Sequence, residues 1–150
     1  MARPAPTDLL AVAARWADPT GWPVALRFAA PERWYARLHA DDGHEVWALS
    51  WLSGQGTDLH DHGGSAGAFL VVAGALTEET VHAGRLRPHR LDTGTGRRFG
   101  VHHVHRVTNT ADQPALSVHV YRPALSRMTR YHLRDGRLRV AEVAEAGVAW

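Results

Sequence analysis

No cysteine occurs among the 150 residues. This excludes disulfide staples, thiolate zinc sites, iron–sulfur ligation and a cysteine nucleophile. Lysine is missing too: all 17 basic residues are arginines, which excludes a phosphate-cradling P-loop lysine and a Schiff-base lysine. Charge of one sign is scarce, with a formal net charge of +2. That is too little to argue for a nucleic-acid partner. The longest apolar stretch, Ala66–Leu76, is far shorter than the roughly 20 residues that cross a bilayer. Near the N-terminus, Asp8 precedes the short Leu9–Ala14 run and Arg15 closes it, so a signal peptide is not expected. The expectation is a soluble, cytoplasmic protein, monomeric rather than oligomeric, with no nucleic-acid or membrane partner.

A chain of this length is expected to form one domain with a core of its own. Thr7-Asp8 can cap a helix whose apolar face is Leu9, Val12, Ala13 and Trp16, ended by Asp18-Pro19-Thr20-Gly21. Residues 1–30 are thus expected to form a helical arm. Beyond Pro31, short runs rich in Val, Leu, Trp and Tyr are punctuated by turn pairs, among them Asp42-Gly43, Gly63-Gly64, Ala83-Gly84 and Asp135-Gly136. Alternation is clear in Glu45–Leu52 and in Leu116–Tyr121, where one face carries Ser117, His119 and Tyr121. The pattern predicts an all-β fold, a small antiparallel sandwich or barrel over residues 33–141.

Against this spare composition stand 11 histidines, and imidazole is the commonest metal ligand. In an extended strand, residues i and i+2 project to the same side. His60 and His62 can therefore share one cation, and a third imidazole from a neighbouring strand would complete one face of its shell. His105 is the leading candidate for that third ligand; His102 and His103, next door, are its competitors. Three imidazoles alone do not fix the metal, since Ni, Zn, Co and Mn fit them as well.

The spacing Gly54-x5-His60-x-His62, with Gly74 beyond, and His105-x3-Asn109 resembles the two motifs of the cupins over roughly residues 45–121. Gly67 stands where a typical cupin has a glutamate ligand, and His102 replaces the glycine that opens the second motif. Without that carboxylate, and with Ser117-Val-His119-Val-Tyr121-Arg-Pro123, the chain is similar to the bacterial thiol dioxygenases and most of all to cysteine dioxygenase. The resemblance implies a cupin barrel and Fe(II) held by His60, His62 and His105. It also implies O₂ and L-cysteine as small-molecule partners, with cysteine sulfinic acid as product. It further implies that Tyr121 assists oxygen activation, with His119 and Ser117 hydrogen-bonded in series behind it. Arg37 matches the arginine that grips the substrate carboxylate, for which a planar guanidinium is suited; Arg33 and Arg27 are the alternatives. Tyr35 is a candidate for the same pocket. Animal enzymes cross-link a cysteine to the active-site tyrosine, and Gly67 at that position rules the cross-link out here. The other readings are a dioxygenase of another small thiol such as 3-mercaptopropionate, or a metal-binding cupin acting as an isomerase or sensor. Asp61 is expected in a turn, Trp47 and Trp51 in the core, and Arg127–Arg139 in a solvated hairpin.

Overall fold

A computed structural model describes Ala2 and residues 7–145. The helix α1 covers Leu9–Arg15, started by the Asp8 carboxylate, which accepts from the Leu10 N–H at 3.1 Å. Its buried face is Leu9, Val12 and Ala13, and a 3-10 turn at Pro19–Gly21 follows. Eleven strands succeed it: β1 (Tyr35–Ala40), β2 (Glu45–Trp51), β3 (Leu59–His60), β4 (Ala66–Ala73), β5 (Ala75–His82), β6 (Arg85–Asp92), β7 (Gly96–Phe99), β8 (His105–Thr108), β9 (Ala115–Arg122), β10 (Arg127–Arg134) and β11 (Arg137–Glu145). They form a five-stranded sheet in the order β1-β2-β9-β4-β7 and a six-stranded sheet in the order β11-β10-β3-β8-β5-β6, with antiparallel pairing. The all-β expectation is met.

The central strand β9 sorts the interior into two compartments. Leu116, Val118 and Val120 face outward and pack with Leu9, Val12 and Ala13 of α1. Ser117, His119 and Tyr121 alternate with them, so they face the space between the sheets alongside Trp51 and Phe69. Both faces of β9 are buried, so a polar residue on it must find its partners inside the protein. The apolar residues around it supply the adhesion, at about 1.5–3 kcal/mol for each large side chain fully buried.

The turns follow their chemistry. Asp135 and Gly136 both take positive φ, 52° and 72°, the conformation of a tight hairpin turn that matches strand twist. Among the described residues no helix is long and apolar enough to cross a membrane.

Candidate metal centre

Strand β3 is only two residues long, and its neighbours hold it in place. His60 lies directly opposite His105 of β8 on one side and Arg130 of β10 on the other. Just past its end, Asp61 donates its N–H to Thr129 O at 2.9 Å. Its carboxylate accepts from the N–H groups of Thr129 and Gly63 and from the Tyr131 hydroxyl, at 2.9, 3.1 and 2.7 Å. Asp61 is thus a turn residue that clamps the His60–His62 segment to β10. Gly63, at φ 58°, passes so close to Arg127 that a side chain there would strike backbone. Asn109 explains the second half of the motif: its Nδ2 donates to Trp51 O at 3.0 Å and Gln113 O at 2.8 Å, tying β2 to the loop after β8.

His60, His62 and His105 come together as a near-equilateral triangle. Their ring centroids are 5.0, 4.8 and 4.9 Å apart, and one nitrogen from each lies within 4.8 Å of the others. Partners assign the ring hydrogens. His60 Nδ1 is 2.8 Å from Asp58 O, a carbonyl that can only accept, so Nδ1 donates and Nε2 keeps its lone pair. His105 Nδ1 donates in the same way to Glu78 Oε2 at 2.7 Å. His62, 1% exposed, has no hydrogen-bond partner for either ring nitrogen; its ring is stacked on Phe99 at 4.4 Å. Burial pushes all three imidazoles below their ordinary range, with mutual repulsion adding to it at His60 and His62. They are neutral donors with lone pairs turned toward one point, and an orphaned buried nitrogen is costly unless something fills it. The donor set fits a divalent cation.

Glu78 of β5 stands behind this triangle. It is fully buried, 2.8 Å from Arg97 Nε, 2.7 Å from His105 Nδ1 and 3.3 Å from His103 Nε2. Burial works against its charge, and the hydrogen bonds from His103 and His105, with Arg97, more than offset it, holding the carboxyl well below the usual range. Sequence reasoning passed Glu78 over. The available signal was its place two residues from Leu76 on an alternating strand, which turns an acid inward beside a buried Leu76. His103 is not in the triangle, but it does contact the carboxylate that orients His105.

A cavity of about 320 Å³ opens on the His60 and His105 edge of the triangle, lined also by His119, Tyr121, Trp51 and Arg33. Ser117 Oγ accepts from Trp51 Nε1 at 2.9 Å and lies 2.8 Å from His119 Nε2. Indole N–H is only a donor, so Ser117 Oγ uses one of its two lone pairs on Trp51 and keeps both its hydrogen and its second lone pair free to meet His119. Burial lowers His119 to about 3, so it is neutral, and raises Tyr121 well above the ordinary phenol range. Tyr121 sits 5.6 Å from His62, ring centre to ring centre.

The arginines are sorted by the structure. Arg37 is exposed on β1 and does not line the cavity. Arg33 does: its guanidinium lies 5.3 Å from the centre of the Trp51 ring, and its Nε is buried with no hydrogen-bond partner. Burial pulls its pKa down, and nearby Arg130 adds to the pull. Arg27 gives only its carbonyl oxygen, which accepts from Ser50 Oγ at 2.6 Å. Tyr35 is half-buried, packed with Trp47 against the inner core rather than on the cavity wall. Trp51 is in the core as expected and also touches the site. Arg130, from the segment read as solvated, lines the cavity. Gly67 lies directly opposite Tyr121 across β4 and β9.

The family model for cysteine dioxygenase type I matches residues 8–134. The chain belongs to the cysteine dioxygenase type I family. Among solved structures, a Thermus thermophilus protein is 19% identical with a TM-score of 0.59, covering 66% of this chain and 90% of that one. A Klebsiella pneumoniae protein with a double-stranded β-helix domain is 17% identical with a TM-score of 0.59, covering 78% and 90%. A cupin superfamily protein of Desulfitobacterium hafniense is 10% identical with a TM-score of 0.54, covering 63% and 81%. At these identities the likeness concerns the fold, which is that of the cupins. No curated protein matches the chain significantly. Family and triangle together make this a metal-dependent cupin dioxygenase.

Proposed function

We propose that this cysteine dioxygenase type I family member is a non-haem Fe(II) enzyme that adds both atoms of O₂ to the sulfur of L-cysteine, giving cysteine sulfinic acid. The balance is closed: one thiol and one O₂ give one sulfinic acid, with no further reductant. The observation that carries the reading is the cluster of three neutral imidazoles with no carboxylate among them, His62 having both nitrogens unpartnered in a buried site. Iron bound there would supply the O₂ chemistry and would acidify a coordinated thiol.

The remaining work falls to the chain itself. His60, His62 and His105 would hold the ion. Arg33 is positioned to take the substrate carboxylate: it is the cavity guanidinium with an unpartnered Nε, steadied over Trp51. This role passes from Arg37 to Arg33 because Arg37 is exposed. Tyr121, kept protonated by burial, presents a hydroxyl to the reacting sulfur and oxygen. His119 and Ser117, anchored by Trp51, fix the wall beside it. Leu49, Val107 and Met128 line the cavity and limit water.

A second reading is turnover of another carboxylate-bearing thiol such as 3-mercaptopropionate. Arg33 would serve that thiol too, since the thiol carries the same carboxylate. The test is oxygen uptake by iron-loaded protein with L-cysteine, 3-mercaptopropionate and cysteamine, the last having no carboxylate. Uptake with cysteine and not cysteamine is expected. Preference for 3-mercaptopropionate would select the second reading, and no uptake with any thiol would leave only an isomerase or sensor.

A further inference from the structure

The tip of the β1–β2 hairpin gathers a second set of donor atoms on the opposite face of the sheet from the cavity. His39 Nε2 lies 3.0 Å from Asp41 Oδ2, and His44 Nδ1 lies 3.3 Å from Oδ1 of the same carboxylate. One atom from each residue falls within 4.8 Å of the other two.

A break in the strand register puts His39 there. Arg37 opposes Trp47, but His39 opposes Val46, one residue having been slipped between them. Unbroken alternation would leave His39 on the inner face with Tyr35 and Arg37. The extra residue turns it to the outer face, where Val46 packs with α1. Its ring then stands 5.8 Å from Trp16 and 5.3 Å from His44. Asp41 is held in place by the Gly43 and His44 N–H groups, at 2.7 and 2.9 Å. With His39, these hydrogen bonds keep its carboxyl well below the usual range, so it stays anionic. A groove of about 450 Å³ adjoins the cluster, walled by Trp16, Trp22, Arg15 and the two histidines.

The geometry points to a second divalent-cation site, formed by His39 Nε2, His44 Nδ1 and the Asp41 carboxylate, that takes Zn²⁺, Ni²⁺ or Cu²⁺. Two imidazoles and a carboxylate suit these ions, whereas Ca²⁺ and Mg²⁺ want oxygen alone. Ligand atoms on a tetrahedral ion with bonds near 2.0–2.1 Å stand roughly 3.3 Å apart. Each nitrogen stands near one of the two oxygens of that carboxylate, His39 Nε2 3.0 Å from Oδ2 and His44 Nδ1 3.3 Å from Oδ1, separations close to that. Binding requires that the ring nitrogens facing the carboxylate present lone pairs, so that two lone pairs and one negative charge face the ion. Unlike the inner triangle, this site carries a charge of its own, and it leaves the dioxygenase cavity untouched.

The test is a calorimetric titration of metal-free protein with Zn²⁺, comparing wild type with His39→Ala and His44→Ala. Both residues are at the surface of a hairpin, and an unchanged unfolding midpoint in the absence of metal shows that the fold is kept. The wild type is expected to bind one equivalent more than either variant. Cu²⁺ is also expected to quench the fluorescence of Trp16, the quenched fraction disappearing in Trp16→Phe and in His39→Ala. Equal Zn²⁺ stoichiometry in all three proteins would overturn the site, as would Cu²⁺ quenching of Trp16 that persists in both histidine variants.

Discussion

Glu78 accepts a 2.7 Å hydrogen bond from His105 Nδ1, so its negative charge would reach a bound metal through a ligand rather than directly. In a typical cupin a glutamate would reach the ion from the position of Gly67. Here the carboxylate stands behind a histidine, pinned by Arg97, and fixes which His105 nitrogen faces the cavity. A divalent ion held by these imidazoles would keep its full positive charge while His105 stays oriented.

Replacing that carboxylate is expected to loosen the ion. Glu78→Gln removes the charge from His105 and leaves Arg97 and His103 without their anion. Partners of this kind typically contribute about 10–100-fold to metal affinity. A competition titration with a chromophoric chelator is expected to show a loss in that range; affinity equal to wild type would contradict the role.

Gly67, opposite Tyr121 in the sheet, has no room for a side chain because Phe99 and the Val120 carbonyl close on it. A Cβ at Gly67 would come within 2.6 Å of Val120 O and closer still to the Phe99 ring. The backbone oxygen cannot yield, so Gly67→Ala is expected to destabilise the fold by about 1–3 kcal/mol in denaturant unfolding. The displaced Phe99 ring would also disturb His62, on which it stacks. A neutral effect on stability would contradict the packing.

Much of this was legible in the sequence. The Asp8 cap and the Leu9–Val12–Ala13 face mark α1 with local chemistry alone. The alternation of Ser117, His119 and Tyr121 with Leu116, Val118 and Val120 marks a strand with one polar face, and that face lines the interior. Glu78 was not legible, because its partner is 27 residues away and meets it only through the pairing of β5 with β8. Arg33 was ambiguous for a similar reason. The segment before β1 has no periodicity, and its path is set by tertiary hydrogen bonds, such as Gln55 Nε2 to Ala29 O at 2.7 Å and to Pro31 O at 3.1 Å. The slip between Arg37 and His39 has no sequence signature, since no glycine marks it.

Acid is expected to unfold the metal-free protein through its buried imidazoles. His119 has a folded pKa lowered to about 3 from 6.5 by burial. Its contribution to stability is full above 6.5 and is lost as the pH falls from 6.5 toward 3, because the unfolded chain takes up a proton that the folded chain refuses. One such group gives a slope of about 1.4 kcal/mol per pH unit between those limits. His119→Gln is expected to flatten the pH dependence of unfolding by that amount between pH 6 and 4. An unchanged slope would contradict a neutral His119.

Arg33 and Arg37 separate cleanly by kinetics. A charge-assisted hydrogen bond to a carboxylate contributes about 1.5–3 kcal/mol, which corresponds to roughly 10–150-fold in kcat/KM. Arg33→Gln is expected to lose this much with cysteine, mainly through KM, and Arg37→Gln to stay near wild type. The reverse pattern would return the carboxylate to Arg37.

The most direct measurement is the mass of the product formed from L-cysteine under ¹⁸O₂ by iron-loaded protein, beside His62→Ala prepared in the same way. A thiol dioxygenase built on this triangle gives cysteine sulfinic acid carrying two labelled oxygens, with no such product from the variant. A product with one labelled oxygen or none, or equal product from the variant, would contradict it.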